Sequence, residues 1–350
     1  MYPSRQRLRR LFLTLALLVL AVGMPFSAFA EGPQNLAKML PEGNKMLLGV
    51  DVNALRPSPF YGEVMTWVRS QSNLGELLDL LQREGGFDVD KDLTSIALGS
   101  PELPGNVEEA RKMPYTVVLS GAFDVEKVTT AAKKRFPSLT ERKEGSLAVF
   151  RAEAFELSFL NAKTLMIVTG KPDYQQRVWK TVGAKPSARN TQFNPILADV
   201  GSKHSIWLLM DTAKKMEGQA GPKALMSALA LRLASGLNLT MLTYMATEAD
   251  ASQAVVQTES LKAEAAANPM ASMLGLAPLI RNLAIKQDKS KVWVTSSMTE
   301  PEARTIFARV RQIAERSQNL KAAPAPSSKT KIESAPAEKA PKKGAPADFN

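Results

Sequence analysis

The run from Tyr115 to Phe136, YTVVLSGAFDVEKVTTAAKKRF, passes from an alternating apolar pattern to a helical one within a few residues. Val117, Leu119 and Phe123 share one face of a strand, and Val118 and Ala122 share the other. Asp124 stands at the N-cap, where a carboxylate accepts unpaired backbone N–H groups and meets the positive end of the helix dipole. Val125, Val128, Ala132 and Phe136 then recur at helical spacing, and Lys133, Lys134 and Arg135 fill the last turn. The same strand–turn–helix pattern recurs three times. From Thr164 it carries Asp173 and Gln176 as a capping box, with Tyr174, Val178 and Val182 as the buried stripe. In MLTYMATEADASQAVVQT the box is Asp250 with Gln253. In KVWVTSSMTEPEARTIFARVRQI it is Thr299 with Glu302, Pro301 lies in the first turn, and Ile306, Phe307, Val310, Ile313 and Ala314 face inward. Four capped copies suggest a duplicated α+β plan, although any α+β chain contains units of this kind.

Outside these units, Met46, Leu48, Val50 and Val52 alternate with Leu47, Gly49, Asp51 and Asn53, as in a strand. Ser58-Pro59 opens a helix with the stripe Tyr61, Val64, Met65 and Val68. Asn73 and Glu76 start another, with Leu74, Leu77, Leu78 and Leu81, ended by Gly85-Gly86. A strand at 93–99, a polar connection at 101–114 and short strands at 147–151, 155–160 and 164–169 complete a first lobe, residues 31–186. Its order is similar to the ferredoxin-like split β-α-β arrangement. The polar stretch 183–190, GAKPSARN, reads as a linker to a second lobe, residues 187–320. There the pattern predicts a helix over 192–200, a strand over 205–210, an alanine- and leucine-rich helix over 222–235 and a strand over 237–247. A helical region over 251–284, broken near Asn268-Pro269 and Pro278, a strand over 292–298 and a helix to Arg316 follow. The fold class is α+β: two lobes, each a mainly antiparallel sheet with helices packed on it.

The two ends change the picture. MYPSRQRLRR, the apolar run Leu11–Val22 and the small-x-small site Ala28-Phe29-Ala30 form a signal peptide with cleavage expected after Ala30. That places the mature chain in the periplasm or outside the cell. The apolar core fits the general secretory route; Arg9-Arg10 leaves the twin-arginine route open, and an uncleaved anchor over Leu11–Ala30 is the alternative to cleavage. Residues 321–350 are rich in proline, alanine and lysine and cannot bury enough surface to fold, so a disordered tail is expected. Such a tail suits an anionic cell-wall or lipid surface, or acts only as a solubilising extension. Net charge is +11, of which four arginines of the leader and a surplus of three in the tail supply the larger part. The body is only mildly basic.

Candidate chemistry is sparse. The absence of cysteine excludes disulfides, thiol nucleophiles, cysteine metal sites and a lipoprotein anchor. His204 is the one histidine, so no multi-histidine metal centre exists. Ser202 and Ser205 lie too close to it in sequence to be obvious triad partners, and a surface or strand-edge histidine is the plainer reading. No phosphate-cradling glycine loop and no G-x-S-x-G elbow occur; Thr169-Gly170-Lys171 is a turn beside a strand. Asp88, Asp90 and Asp92 space like the start of a calcium loop, but Leu93 and Gly99 stand where glycine and glutamate are needed. A turn held by its own carboxylates fits better, with an irregular calcium site as the alternative. Asp51 could point from a sheet into a cleft. Arg304, Arg309, Arg311 and Arg316 decorate one helix without interleaved aromatics, which argues against nucleic acid. Met210, Met216, Met226, Met241, Met245, Met270 and Met273 cluster with leucines in the second lobe, as core or as a groove for a lipid tail or apolar peptide. No catalytic, cofactor-binding or metal residue is assigned.

The segments LPEGNKMLLGVDVNAL, GGFDVDKDLTSIALGS and VVLSGAFDVEKV, together covering about residues 40–127, carry a resemblance. They are similar to an uncharacterised group of exported bacterial two-lobed α+β proteins with an LP-x(n)-VDV start. These motifs are structural turns, and the resemblance implies no activity. The expected function is that of a non-enzymatic envelope protein that binds or scaffolds an unidentified envelope component. A carrier with a Met/Leu-rich groove and a hydrolase with carboxylate or Ser/Lys chemistry stay open as rivals.

Overall fold

A computed structural model describes residues 32–69, 81–105, 109, 113–152, 155–183, 190–200, 204–213, 221–273, 275–309 and 312. The leader, the tail, most of the expected linker and the predicted stripe Leu74, Leu77 and Leu78 lie outside them. Two compact units divide the chain at Arg311/Gln312, and everything below concerns the first.

In chain order the first half contains α1 (Pro33–Ala37), β1 (Met46–Asp51), α2 (Val52–Leu55), α3 (Tyr61–Arg69), α4 (Val89–Asp92), β2 (Leu93–Ser100), β3 (Thr116–Gly121), α5 (Val125–Arg135), β4 (Thr140–Glu144), β5 (Leu147–Arg151), β6 (Phe155–Asn161), β7 (Thr164–Thr169) and α6 (Pro172–Gly183). The second contains α7 (Asn194–Val200), β8 (Ile206–Asp211), β9 (Ala224–Leu233), β10 (Gly236–Met245), α8 (Glu248–Ala266), α9 (Pro269–Met273), α10 (Ala277–Arg281), β11 (Ala284–Asp288), β12 (Lys291–Thr299) and α11, residues 300–309.

The architecture is α+β, built on a large antiparallel sheet. Its twelve described strands run in the order β11-β12-β10-β9-β8-β1-β2-β3-β7-β6-β5-β4. The sheet continues across the expected 186/187 boundary, because β1 pairs with both β2 and β8. Every neighbouring pair is antiparallel, so the split β-α-β order expected of the first lobe is replaced by meanders. Parallel pairing would need a crossover that returns the chain in the same direction. Here α5 instead delivers the chain to the outer edge at β4, and hairpins bring it back.

The helix expected over 222–235 is strand β9. Alanine, leucine and methionine favour helices in isolation, but β9 lies between β8 and β10 and is covered on both faces. Leu229, Leu231 and Leu233 point to one face, and Ala228 and Ala230 to the other. Burial on both sides removes the polar alternation that marks a strand. Edge strands β4 (TERKE) and β11 (AIKQD) were absent from the pattern for the opposite reason. Charged residues that keep a sheet edge from pairing with another chain also hide it.

Two apolar layers sandwich the sheet. On the first face, Val52 and Leu55 of α2, Phe60, Met65 of α3, Val89 of α4, Val128 of α5 and Ala303 of α11 cover Leu48, Val50, Ile96, Leu119 and Leu231. On the second, α1, α6 and α7 bring Leu36, Trp179 and Ile196 onto Leu47, Ala97, Val118, Trp207 and Ala230. Each fully buried leucine stabilises by about 2 kcal/mol.

Candidate functional site

The sequence candidates are held in structural roles. Asp51 does not enter a cleft; its side chain caps α2 by accepting from the Ala54 N–H at 3.1 Å. Asp88 caps α4, accepting from the Asp90 N–H at 3.0 Å, while its own N–H donates to Asp92 Oδ2 at 2.7 Å. Asp90 accepts from the Tyr61 hydroxyl at 2.9 Å. The three aspartates thus close a helix-to-strand turn, and among the described residues no cluster of three acidic or histidine ligands is gathered for a metal. His204 bridges α7 to the sheet, with Nδ1 2.7 Å from the Val200 carbonyl and Nε2 3.1 Å from Thr240 Oγ1. Ser202 lies outside the described residues, and Ser205 is buried.

Three polar clusters emerge that the sequence pattern did not single out. Asp199 on α7 accepts from the Tyr244 hydroxyl and from Lys291 Nζ, both at 2.8 Å. The lysine also sits 5.0 Å above the Tyr244 ring. Glu156, buried on β6, receives Arg142 at 2.8 Å and lies 3.7 Å from Arg151. Arg304 on α11 lies over the Phe60 ring, bonds the Pro59 carbonyl at 3.1 Å and pairs with Glu63 and Glu300. Apart from the Glu300–Arg304 pair, these partners are cross-strand neighbours of unknown register or lie 45 to 245 residues apart, and leave no local signal.

Electrostatics run in one direction. The Asp88 bond raises Lys91, the Asp199 bond raises Lys291, and Glu300 raises Arg304. The Lys127 N–H lowers Asp124, the Thr247 hydroxyl lowers Asp250, and the Thr299 N–H lowers Glu302. Burial raises Tyr61, Tyr174 and Tyr244. All of these shifts hold the groups further from neutrality in their resting protonation states. A general base or nucleophile needs the reverse.

The helical layer α8–α10 differs from the rest. Of the nineteen residues of α8, only Ala251 is buried. The layer rests on two small apolar clusters, Ala251, Ala254 and Val255 with Met245 and Val292, and Ala265 with Ala271, Leu276 and Ile280, and is pinned further through carbonyls. Lys262 Nζ donates to Leu283 O at 2.6 Å, Ser296 Oγ to Leu279 O at 2.8 Å, and Arg309 to the carbonyls of Ser272 and Met273. Between α8, α9 and α10 lies a cleft of about 430 Å³, floored by Ala263, Ala266, Ala271, Ala277 and Ile280 and rimmed by Glu259, Lys262 and Arg281. Val256, Met270 and Met273 stand 69%, 54% and 70% exposed on this layer. Val256 shares a helical stripe with Glu259 and Ala263 of the cleft lining and stands one turn before the first of them on α8. The methionines are therefore divided. Met245 is buried, Met210, Met226 and Met241 pack against the sheet core, and only Met270 and Met273 reach solvent; Met216 lies outside the described residues.

No protein-family model matches the sequence, and no curated protein matches it. Among solved structures the chain is similar to TP0453 in crystal form III, at 10% identity and a TM-score of 0.45, covering 81% of this chain and 100% of that one. Crystal form I of TP0453 gives 10% identity and 0.43, over 80% and 98%. Crystal form IV gives 9% and 0.45, over 79% and 95%. No residue or role is carried over from these.

The α8–α10 layer thus carries three exposed apolar side chains and a cleft with mixed charge at its rim. Arg281 is 72% exposed and its nearest carboxylate, Glu302, lies 3.6 Å away. Lys262 spends its ammonium on a neutral carbonyl. No helix among the described residues is long and apolar enough to cross a membrane.

Proposed function

We propose that the protein is exported past the cytoplasmic membrane by cleavage after Ala30, and that it acts without catalysis as a binding or scaffolding module of the cell envelope. Its docking surface is the α8–α10 layer. The observation that carries this reading is the placement of exposed apolar side chains. Three of the four large ones among the described residues, Val256, Met270 and Met273, stand on this layer, and only Leu225 stands elsewhere. Isolated exposed apolar residues need no explanation, but a group beside a cleft marks an interaction site.

A photo-crosslinking residue at Met270 in the intact cell tests this reading, with the same residue at exposed Lys163 as the control. A discrete protein adduct from position 270 alone is expected. Equal labelling from both positions, or none, overturns the surface assignment. Sequencing the mature N-terminus from cell fractions tests export; a cytoplasmic chain that retains Met1 overturns it.

A second reading, a carrier for a lipid tail or apolar peptide, is favoured by the alanine-floored cleft with Lys262 and Arg281 at its rim. Its groove would be lined by alanine and Ile280 instead of methionine and leucine. Recovery of lipid alone from position 270 selects it. The tail from Lys321 is proposed to hold anionic envelope material, with binding that weakens with salt and is lost on truncation there.

A further inference from the structure

The second face of the sheet is covered by α7 over β8, β9 and β10, but β12 and β11 continue beyond that cover. Register places their side chains in rows. Tyr244, Lys291 and Asp288 form one row, and Leu242, Trp293 and Lys286 the next. Thr240, Thr295 and Ala284 follow, then Arg232, Asn238 and Ser297. Arg232, Asn238, Ala284, Lys286, Thr295 and Ser297 are exposed, and Trp293 is half-buried with its inner side on the core. Trp293 is therefore flanked by Lys286 on the neighbouring strand and by Thr295 on its own, with Asn238, Ser297 and Arg232 two rows further along the face and Asp288 as its one exposed carboxylate among these rows. Lys291 is matched by Asp199, whereas Arg232 and Lys286 have no carboxylate within ion-pair distance among the described residues.

From this arrangement we propose that the open face of β10–β12–β11 binds a glycan chain that carries carboxylates. The indole supplies an apolar plane for a sugar ring. Asn238, Thr295 and Ser297 offer donors and acceptors to ring hydroxyls, and Arg232 and Lys286 meet the carboxylates. An amide–hydroxyl surface without the aromatic would be an ordinary solvated sheet face. An aromatic without the flanking cations would give no preference for an anionic chain. The inference goes beyond the docking surface on α8–α10, which lies on the opposite face; it shares with that reading only the placement in the envelope.

The test uses the mature chain, soluble muramic-acid-containing peptidoglycan strands and neutral chitooligosaccharides. Isothermal titration calorimetry serves as the readout, because it reports binding in every variant, including one that lacks Trp293. A saturable change with the anionic strands is expected. It should weaken at least tenfold in the double variant R232Q/K286Q and vanish in Trp293→Phe, with thermal midpoints unchanged for the double variant. The neutral oligomer should bind at least tenfold more weakly. Absence of a saturable change overturns the proposal, as does equal binding of the neutral oligomer. So does binding that survives R232Q/K286Q yet disappears when the chain is cut at Lys321, because the tail would then be the receptor. Failure of crosslinking at Met270 leaves these readouts untouched, so the two surfaces stand or fall separately.

Discussion

Trp207 of β8 occupies the space that a side chain on Gly49 of β1 would take: a Cβ built on Gly49 falls 2.0 Å from indole Cζ2. The two residues are register partners at the seam where the two halves of the sheet join. Trp207 is fully buried and packs with Leu47, Ala97 and Ala230. The glycine is needed for close approach, not for an unusual backbone angle.

Gly49→Ala should therefore destabilise by about 3 kcal/mol, the upper end of the overpacking range, because three ring atoms lie within 2.7 Å of the new carbon and a rigid indole cannot bend away. Trp207→Leu should cost a similar amount through the cavity it leaves. The double variant should recover part of both, and a double-mutant cycle in urea measures the coupling. Simple additivity would mean the contact is relieved by backbone movement instead.

Glu156 is buried between Arg142 and Arg151 at the far end of the sheet, where β4 forms the charged outer edge. Removing one partner of a buried pair leaves the other less well matched, although Arg142 keeps its pair with Glu144. Arg142 and Arg151 keep some contact with water, which reduces the cost. Glu156→Gln should lose about 2 kcal/mol and should raise amide exchange in 140–151 before the rest of the sheet. Uniform loss of protection across all strands would contradict a local role.

How far the sequence foretold this fold depends on the element. Asp124 accepts from the Lys127 N–H, and Thr299 donates its N–H and hydroxyl to Glu302, as the cap patterns indicate. The third box is displaced: Thr247 is the N-cap and Asp250 its partner, because the helix starts one turn earlier than the apolar stripe. In the second, α6 starts at Pro172, and Asp173 lies inside the first turn. β2 and β8 were legible although buried on both faces; β9 was not, since its alanines and leucines favour a helix and no alternation was left to outweigh them. The α8–α10 cleft is built from alanines, whose small size becomes meaningful only when two helices meet. The caps of Asp51 and Asp88 and the Val200 contact of His204 lay within reach of the pattern, because those partners are two to four residues away, whereas the Thr240 and Tyr61 contacts join distant segments.

Asp124, Asp250 and Glu302 all have carboxyls held below their usual range by hydrogen bonds at helix starts. A depressed folded-state pKa means stability that is present above the unfolded value and is lost as pH falls through the folded one. Unfolding midpoints in urea should therefore drop as the pH is lowered below about 5. The triple variant D124N/D250N/E302Q should be less stable at neutral pH and should show a shallower acid limb. An unchanged limb would place the acid sensitivity in other carboxylates.

The Asp199–Tyr244–Lys291 cluster bears on the alkaline side. The bond to Asp199 raises Lys291, and burial, followed by the same carboxylate, raises Tyr244. A raised folded-state pKa gives stability that is complete below the unfolded value and disappears as pH rises through the folded one, for the lysine and the phenol alike. Both side chains bond one oxygen, Asp199 Oδ2, so their losses are coupled and cannot be summed. Asp199→Asn should lower the unfolding midpoint at neutral pH, through the lost attachment of α7 to β10 and β12, and should flatten its fall above about pH 10. Tyr244→Phe should retain the lysine pair and most of the neutral stability while removing the phenol's share of the alkaline fall. If Asp199→Asn leaves the alkaline profile as steep as before, the fall belongs to Tyr61 and Tyr174, which burial also raises.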